Sequence, residues 1–138
     1  MLLQISFLEA TTSAQILTAA FLAILFLQSG IDKIVDWKGN LSWLKGHFKK
    51  SPLEGMVPVL LGTITFFEVL AGLVSAAGMI MILVSGEVQI ALMGAQLCAL
   101  SLVMLFFGQR MAKDYEGAAV LVPYFILAVG AIFLFSAF

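Results

Sequence analysis

Charged residues are scarce in this chain: they make up 11% of its 138 residues, whereas hydrophobic residues make up 62%. A soluble domain carries about a quarter charged residues and roughly half apolar ones. The chain therefore has too little charge to cover a water-exposed surface, which excludes a soluble enzyme and a disordered linker. Its net charge of −1 also gives no basic surface that would bind nucleic acid.

Residues that build metal and haem sites are equally scarce. Cys98 is the single cysteine and His47 the single histidine. One cysteine excludes an internal disulfide and a zinc site made mainly of thiolates, and one histidine cannot supply both axial ligands of a haem. The sequence also contains no nucleotide-binding loop and no nucleophile–base pair. We therefore expect no metal site and find no evident cofactor motif.

Long apolar runs dominate what is present. A membrane-spanning helix needs about 20 mostly apolar residues, and four segments meet this requirement: residues 14–35, 56–84, 88–108 and 118–138. They take up about two thirds of the chain, which leaves no room for a separate soluble domain. The sequence thus predicts an all-α integral membrane protein, a bundle of four transmembrane helices forming one membrane domain over residues 1–138.

The basic residues are distributed on one side of these spans. They lie at the end of the first span, in the loop after it, and in the loop between the third and fourth spans: Lys33, Lys38, Lys45, Lys49, Lys50, Arg110 and Lys113. The positive-inside rule places those loops in the cytoplasm and both termini outside it. We expect a multi-pass protein of a bacterial inner membrane. The first ten residues lack a basic signal-peptide region and are interpreted as a retained interfacial lead-in.

The first loop has a helical pattern of its own. Asn40 is a good N-cap residue, and Leu41, Leu44 and Phe48 then form one apolar stripe. This pattern predicts a short amphipathic helix in the headgroup region between the first and second spans, with its basic face towards anionic lipid. A docking surface for a cytosolic partner is the alternative interpretation.

Polar residues inside the spans are the main candidates for function. Glu68 lies near the predicted midplane, where an ionised carboxylate costs several kcal/mol, so it should be neutral, hydrogen-bonded or paired. It is either a proton carrier or ligand contact, or a structural link between helices. Gln28 and Gln96 fall at a similar depth and Tyr124 slightly nearer the cytoplasm. We predict a buried polar layer of these four residues.

A second candidate set lies at the cytoplasmic interface and comprises Asp32, Lys33, Arg110 and Lys113. Lys33 can reach the headgroups as a helix-end anchor. Asp32 cannot reach as far and needs a basic partner from this set.

Small residues indicate where helices approach closely. Gly72 with Ala76, and Gly94 with Cys98, form small-xxx-small pairs on the second and third spans.

Several of these residues also carry a family resemblance. The run FLQSGIDKIVDW, with Gly30 and Lys33, resembles the end of the first helix of DoxX-like membrane proteins, and LSWLKGHFKKSPL resembles the connector of some members. Glu68, Gly72 and Gly78 fit the family's glutamate followed by two glycines. One difference is Gln15, which lies in the region where the family often has an arginine.

The resemblance implies an accessory or anchoring subunit of a membrane redox complex, without independent catalytic activity. Its expected partners are membrane lipid and either another membrane or redox protein or further copies of itself. Two alternatives stay open. One is a small proton-coupled transporter that uses Glu68. The other is a quinone-contacting subunit, which requires an opening on the lipid side near Gln28 or Glu68.

The predicted orientation can be tested with reporters. A periplasmic reporter fused after Phe138 should be active, and a cysteine in place of Lys49 should react from the cytoplasmic side, because the basic loops are retained there. Reporter activity and thiol labelling of intact cells and inverted vesicles measure both. The opposite pattern would contradict the orientation.

Overall fold

The computed structural model describes residues 9–137, and within them the chain is helical apart from short turns. The helices are α1 (Ala10–Val35), α2 (Trp37–His47), α3 (Val57–Ser85), α4 (Gln89–Met111) and α5 (Tyr115–Ala137), with a 3₁₀ turn at Glu54–Met56.

Helices α1, α3, α4 and α5 are each long and apolar enough to cross a membrane. The prediction of an all-α, four-span membrane protein with a short helix after the first span is therefore confirmed. The main differences are at helix ends. Helix α1 begins at Ala10 rather than at residue 14. The polar residues of its half-buried first turn end the apolar run in the sequence, but they do not stop the helix. The predicted N-terminal lead-in falls largely outside the described residues.

The four spans pack as sequential antiparallel neighbours, with the most extensive contacts between α1 and α3, α3 and α4, and α4 and α5. Pro58 lies in the first turn of α3, where a missing N–H costs nothing. Gly86 ends α3 with a left-handed φ of 76°, a conformation that glycine adopts without strain. Helix α4 starts three residues later, at Gln89, and runs in the opposite direction.

Glycines set how closely the helices approach. A Cβ on Gly30 would lie 2.6 Å from Val69 Cγ2, and one on Gly72 would lie 2.7 Å from the backbone nitrogen of Leu27. These two contacts fix the antiparallel register of α1 against α3. The predicted role of Gly72 in close helix packing is thereby confirmed.

Helices α3 and α4 also pack closely at glycines. A Cβ on Gly78 would lie 2.5 Å from the Cα of Ala91, and one on Gly94 would lie 2.6 Å from Ser75 Oγ. Gly94 is thus a second confirmed close-packing position. The polar contact at this crossing is a 3.7 Å approach of Ser75 Oγ to Cys98 Sγ.

The first and last spans close the bundle. Gln15 is buried, and its Nε2 donates a hydrogen bond of 3.1 Å to the backbone oxygen of Leu134 on α5. Leu22, Phe26 and Phe135 are buried in the apolar core.

The structure of α2 corrects the prediction for the loop between the first and second spans in two respects. It begins at Trp37, so Asn40 is not its N-cap; Asn40 Nδ2 instead donates to the backbone oxygen of Asp36 at 2.8 Å. Phe48, which was assigned to a lipid-facing stripe, is buried, and its ring lies beside Gly108 of α4. Trp43 and Lys45, on other parts of the helix surface, are exposed. The end of the helix thus docks on protein.

Close packing at Gly78 leads to a stability prediction. Gly78→Ala should destabilise the bundle by about 1–3 kcal/mol, the range for overpacking a filled core, because the added methyl meets the backbone of Ala91. Gly130→Ala is the matched control, since a Cβ there meets nothing within 4 Å. Thermal unfolding in mild detergent measures both. Equal midpoints for the two variants would contradict the packing described.

Candidate functional site

A buried ion pair joins α1 to α3. Lys33 Nζ lies 2.9 Å from Glu68 Oε1, and the Glu68 side chain is 2% exposed while that of Lys33 is 20% exposed. Ser29, one turn earlier on α1, accepts a hydrogen bond of 2.9 Å from the same ammonium. The register set by Gly30 and Gly72 brings these groups together, because Lys33 is almost one turn beyond Gly30 and Glu68 directly precedes Val69.

The contact between Lys33 and Glu68 is an ion pair without the angles of a hydrogen bond. Glu68 Oε1 and Thr65 Oγ1 are buried, and neither has a hydrogen-bond partner within the described part of the chain. A carboxylate removed from water is costly unless a compensating charge is close. The ammonium supplies that charge, so both groups can stay ionised inside the bundle.

This pairing corrects the expectation for Lys33. The sequence predicts a headgroup anchor at this position and leaves open whether Glu68 is neutral, hydrogen-bonded or paired. The structure instead turns Lys33 inward to Glu68. A signal for this existed in the sequence: Ser29 and Lys33 have i, i+4 spacing and share one helix face.

The predicted polar layer is not assembled in the described residues. Glu68 is buried, whereas Gln28 and Gln96 are exposed on the outside of the bundle. Tyr124 is half-buried and packs against the apolar core. Each glutamine lies two residues, or about 200° of helix rotation, from a tightly packed glycine, Gly30 or Gly94. Both glutamines therefore lie on the outer face of the bundle, and the prediction that they face Glu68 is wrong.

The predicted interfacial cluster is likewise dispersed. Asp32, Arg110 and Lys113 are exposed, and no ion pair connects them within residues 9–137. The Arg110 guanidinium lies 4.6 Å from the ring centre of Tyr115, a cation–π contact. Of the four residues, Lys33 alone joins a buried polar group.

A cleft of about 480 Å³ lies between α3 and α4, with Lys33 in its wall. The apolar walls of the cleft are formed mainly by Leu60, Ile64, Val103 and Phe107. Val103 is 50% exposed and Phe107 is 56% exposed, so the cleft opens on the outer surface of the bundle, which faces lipid in a membrane. Sequence reasoning missed this cleft because it depends on how two spans diverge.

The connector, residues 36–56, covers one side of the cleft with three apolar side chains, Leu44, Phe48 and Leu53. Polar groups are few in the lining: Thr63 and Gln109 accompany Lys33. An apolar pocket with a few polar groups is the usual form of a small-molecule site.

A polar contact fastens the end of α2 beside the cleft. His47 Nε2 lies 2.8 Å from Gln109 Oε1 and 3.5 Å from Asp114 Oδ2. Trp43 stacks on the His47 ring, with ring centres 4.5 Å apart. His47 was noted in the sequence as a lone histidine, and its spacing gave no sign of these partners.

Comparison with known proteins adds no relative: no family model, no curated protein and no solved structure matches this chain. The DoxX-like resemblance thus rests on residues alone. Four of those residues, Gly30, Lys33, Glu68 and Gly72, meet at the crossing of α1 and α3.

The described residues contain no group of three or more histidines, cysteines, aspartates or glutamates that could hold a metal ion. The chain is a small multi-pass membrane protein of four spans.

The ion pair predicts non-additive stability effects. Lys33→Met and Glu68→Gln should each destabilise the protein, whereas the double variant should cost less than the sum of both, with a coupling of about 1–3 kcal/mol. The reason is that each single change leaves a buried group without its compensating charge. That group must either stay charged or become neutral, and both cost free energy. Asp32→Asn is the control, because this neighbouring carboxylate is exposed. Unfolding in detergent measures all four, and additive effects would contradict a stabilising pair.

Proposed function

We propose that the chain is an accessory subunit of a membrane redox system and that its cleft holds the headgroup of a quinone-type molecule. The observation that carries the proposal is the laterally open, apolar cleft that has Lys33 among its lining residues.

The charge of the site favours a neutral ligand that carries carbonyl groups. An ammonium has three donors; one goes to Ser29, and the Glu68 carboxylate lies at ion-pair distance. Not all three donors are therefore used by Ser29 and Glu68, and Lys33 is a lining residue of the cleft. A ligand carboxylate would bring a second negative charge close to Glu68, which is unfavourable. A quinone carbonyl accepts a hydrogen bond without adding charge.

The walls of the cleft suit a hydrophobic ring and the start of a tail. A volume of about 480 Å³ lies within the usual range for small-molecule pockets, roughly 300–1,000 Å³. Because the opening lies at Val103 and Phe107, a membrane-dissolved ligand can enter from the side, and its tail can remain among the lipids.

The redox setting is supported by the resemblance to DoxX-like proteins. The residues that carry the resemblance include both members of the ion pair and two glycines that position it. The proposed site and the motif thus coincide at the crossing of α1 and α3.

Proton-coupled transport through Glu68 is the second candidate. It is supported by the position of Lys33, which lines the cleft while its ammonium contacts the Glu68 carboxylate. In that case the ion pair would open and close as protons enter and leave, and the carboxylate would have to titrate.

Ligand binding can be tested by photolabelling in nanodiscs. A short-chain quinone that carries a photoreactive group should label the walls of the cleft on α3 and α4. Val103→Trp, which fills the opening, should lower labelling at least about tenfold, a loss of about 1.4 kcal/mol. Leu100→Trp is the matched control, because Leu100 is a similarly exposed residue of α4 outside the cleft.

The outcomes separate the two candidate functions. Labelling that spreads evenly over the bundle, or that Val103→Trp leaves unchanged, would contradict quinone binding. Glu68→Gln should retain labelling if the site is a binding site. A Glu68→Gln variant that folds and binds quinone but abolishes proton uptake by vesicles would favour the transporter.

A further inference from the structure

We propose that the connector, residues 36–56, is a lid over one side of the cleft, separate from the opening at Val103 and Phe107, and that His47 is the latch that holds this side shut. The inference rests on the proposed function in one respect, namely that the cleft admits a ligand, and it adds how access to the cleft is controlled. The juxtaposition that carries it is the covering of the cleft by Leu44, Phe48 and Leu53 beside the contact of His47 with Gln109 and Asp114.

The covering side chains belong to a segment distinct from the spans that form the cleft. Leu44 lies on α2, while Phe48 and Leu53 lie in the turns between α2 and α3. Phe48 is the most deeply buried of the three, at 8% exposure, and its ring lies beside Gly108 of α4. Movement of the connector away from α4 would withdraw these side chains together and widen the cleft on this side.

Both ends of α2 have backbone positions suited to a hinge. Asp36 separates α1 from α2 with φ −117° and ψ 53°, outside the helical region, and no side-chain hydrogen bond caps α2 there. Lys50, beyond the other end, has a positive φ of 67°, a conformation uncommon for a residue with a side chain. The helix is thus attached to the spans through two breaks in regular structure.

The latch joins the C-terminal end of α2 to the last turn of α4 and the turn that follows it. Gln109 Oε1 lies 2.8 Å from His47 Nε2, so a protonated Nε2 donates to it. Asp114 is itself held in place, because its Oδ1 accepts a hydrogen bond of 2.9 Å from the backbone N–H of Gly117. Its other oxygen is thereby kept 3.5 Å from the His47 ring. Trp43 stacks on that ring from within α2.

Two features separate this contact from ordinary packing. Gln109 both contacts His47 and lines the cleft. The contact between His47 and Gln109 therefore lies at the edge of the cleft. His47 itself does not line the cleft. Changing it can therefore alter access without altering the walls that a ligand would touch.

The test measures access to the cleft without any ligand. A cysteine is introduced in place of Leu60, a half-buried wall residue, and its reaction with a water-soluble thiol reagent is timed in detergent. His47→Phe, which keeps an aromatic ring beside Trp43 but loses the polar contacts, should raise the rate about fivefold. That factor corresponds to one lost hydrogen bond of about 1 kcal/mol. The native chain, whose Cys98 is buried, gives the background.

Matched variants make the test specific. Lys45→Ala changes an exposed residue of the same helix and should leave the rate unchanged. Asp114→Asn keeps the cap on Gly117 but removes the charge beside His47, and should raise the rate less than His47→Phe. Unchanged reactivity in His47→Phe would overturn the latch. An equal increase in Lys45→Ala would show general loosening of the bundle and would overturn it as well.

A cross-link connects the lid to ligand entry. Cysteines replacing His47 and Gln109 can be joined by a short bifunctional thiol reagent, which should slow labelling of the cleft by the photoreactive quinone relative to the unjoined double variant. Equal labelling with and without the cross-link would contradict the lid. If no variant is labelled by quinone but thiol access still follows His47, the lid stands and the proposed ligand is wrong.

Discussion

The ion pair between Lys33 and Glu68 is the constraint on which the arrangement of the site depends. A carboxylate that stays ionised inside the bundle requires a compensating charge, and the close approach of α1 and α3 at Gly30 and Gly72 brings one within 2.9 Å. Glycine packing and charge pairing therefore support each other. A side chain at either glycine would push α1 and α3 apart. Without Lys33 close by, the buried Glu68 carboxylate would have no compensating charge at this helix crossing.

The pair also underlies the ligand that we propose for the cleft. Its two charges cancel, and Lys33 is one of the few polar residues that line an otherwise apolar space. The Glu68 carboxylate next to Lys33 disfavours an anionic ligand. The proposed ligand is therefore a neutral carbonyl compound dissolved in the membrane, and the proposed lid is the connector on one side of the cleft.

Much of the fold could be predicted because the spans are defined by apolar length, and the close contacts at Gly72 and Gly94 by residue size. The site could not be predicted in the same way. Depth along a helix follows from counting residues, whereas contact between helices also depends on rotation and register. Gln28 illustrates the difference: it lies about 200° around α1 from Gly30 and is exposed. The cleft and the contacts of His47 arise between segments distant in sequence, and no periodic pattern encodes them.

The charge state of Glu68 tests the account most directly. Infrared difference spectra of the native protein and Glu68→Gln in bilayers at neutral pH isolate the signal of this one side chain. The account predicts an ionised carboxylate band in the native protein, replaced by a protonated carboxyl band when Lys33→Met removes the partner. A protonated carboxyl in the native protein would contradict the ion pair and, with it, the charge argument for the ligand.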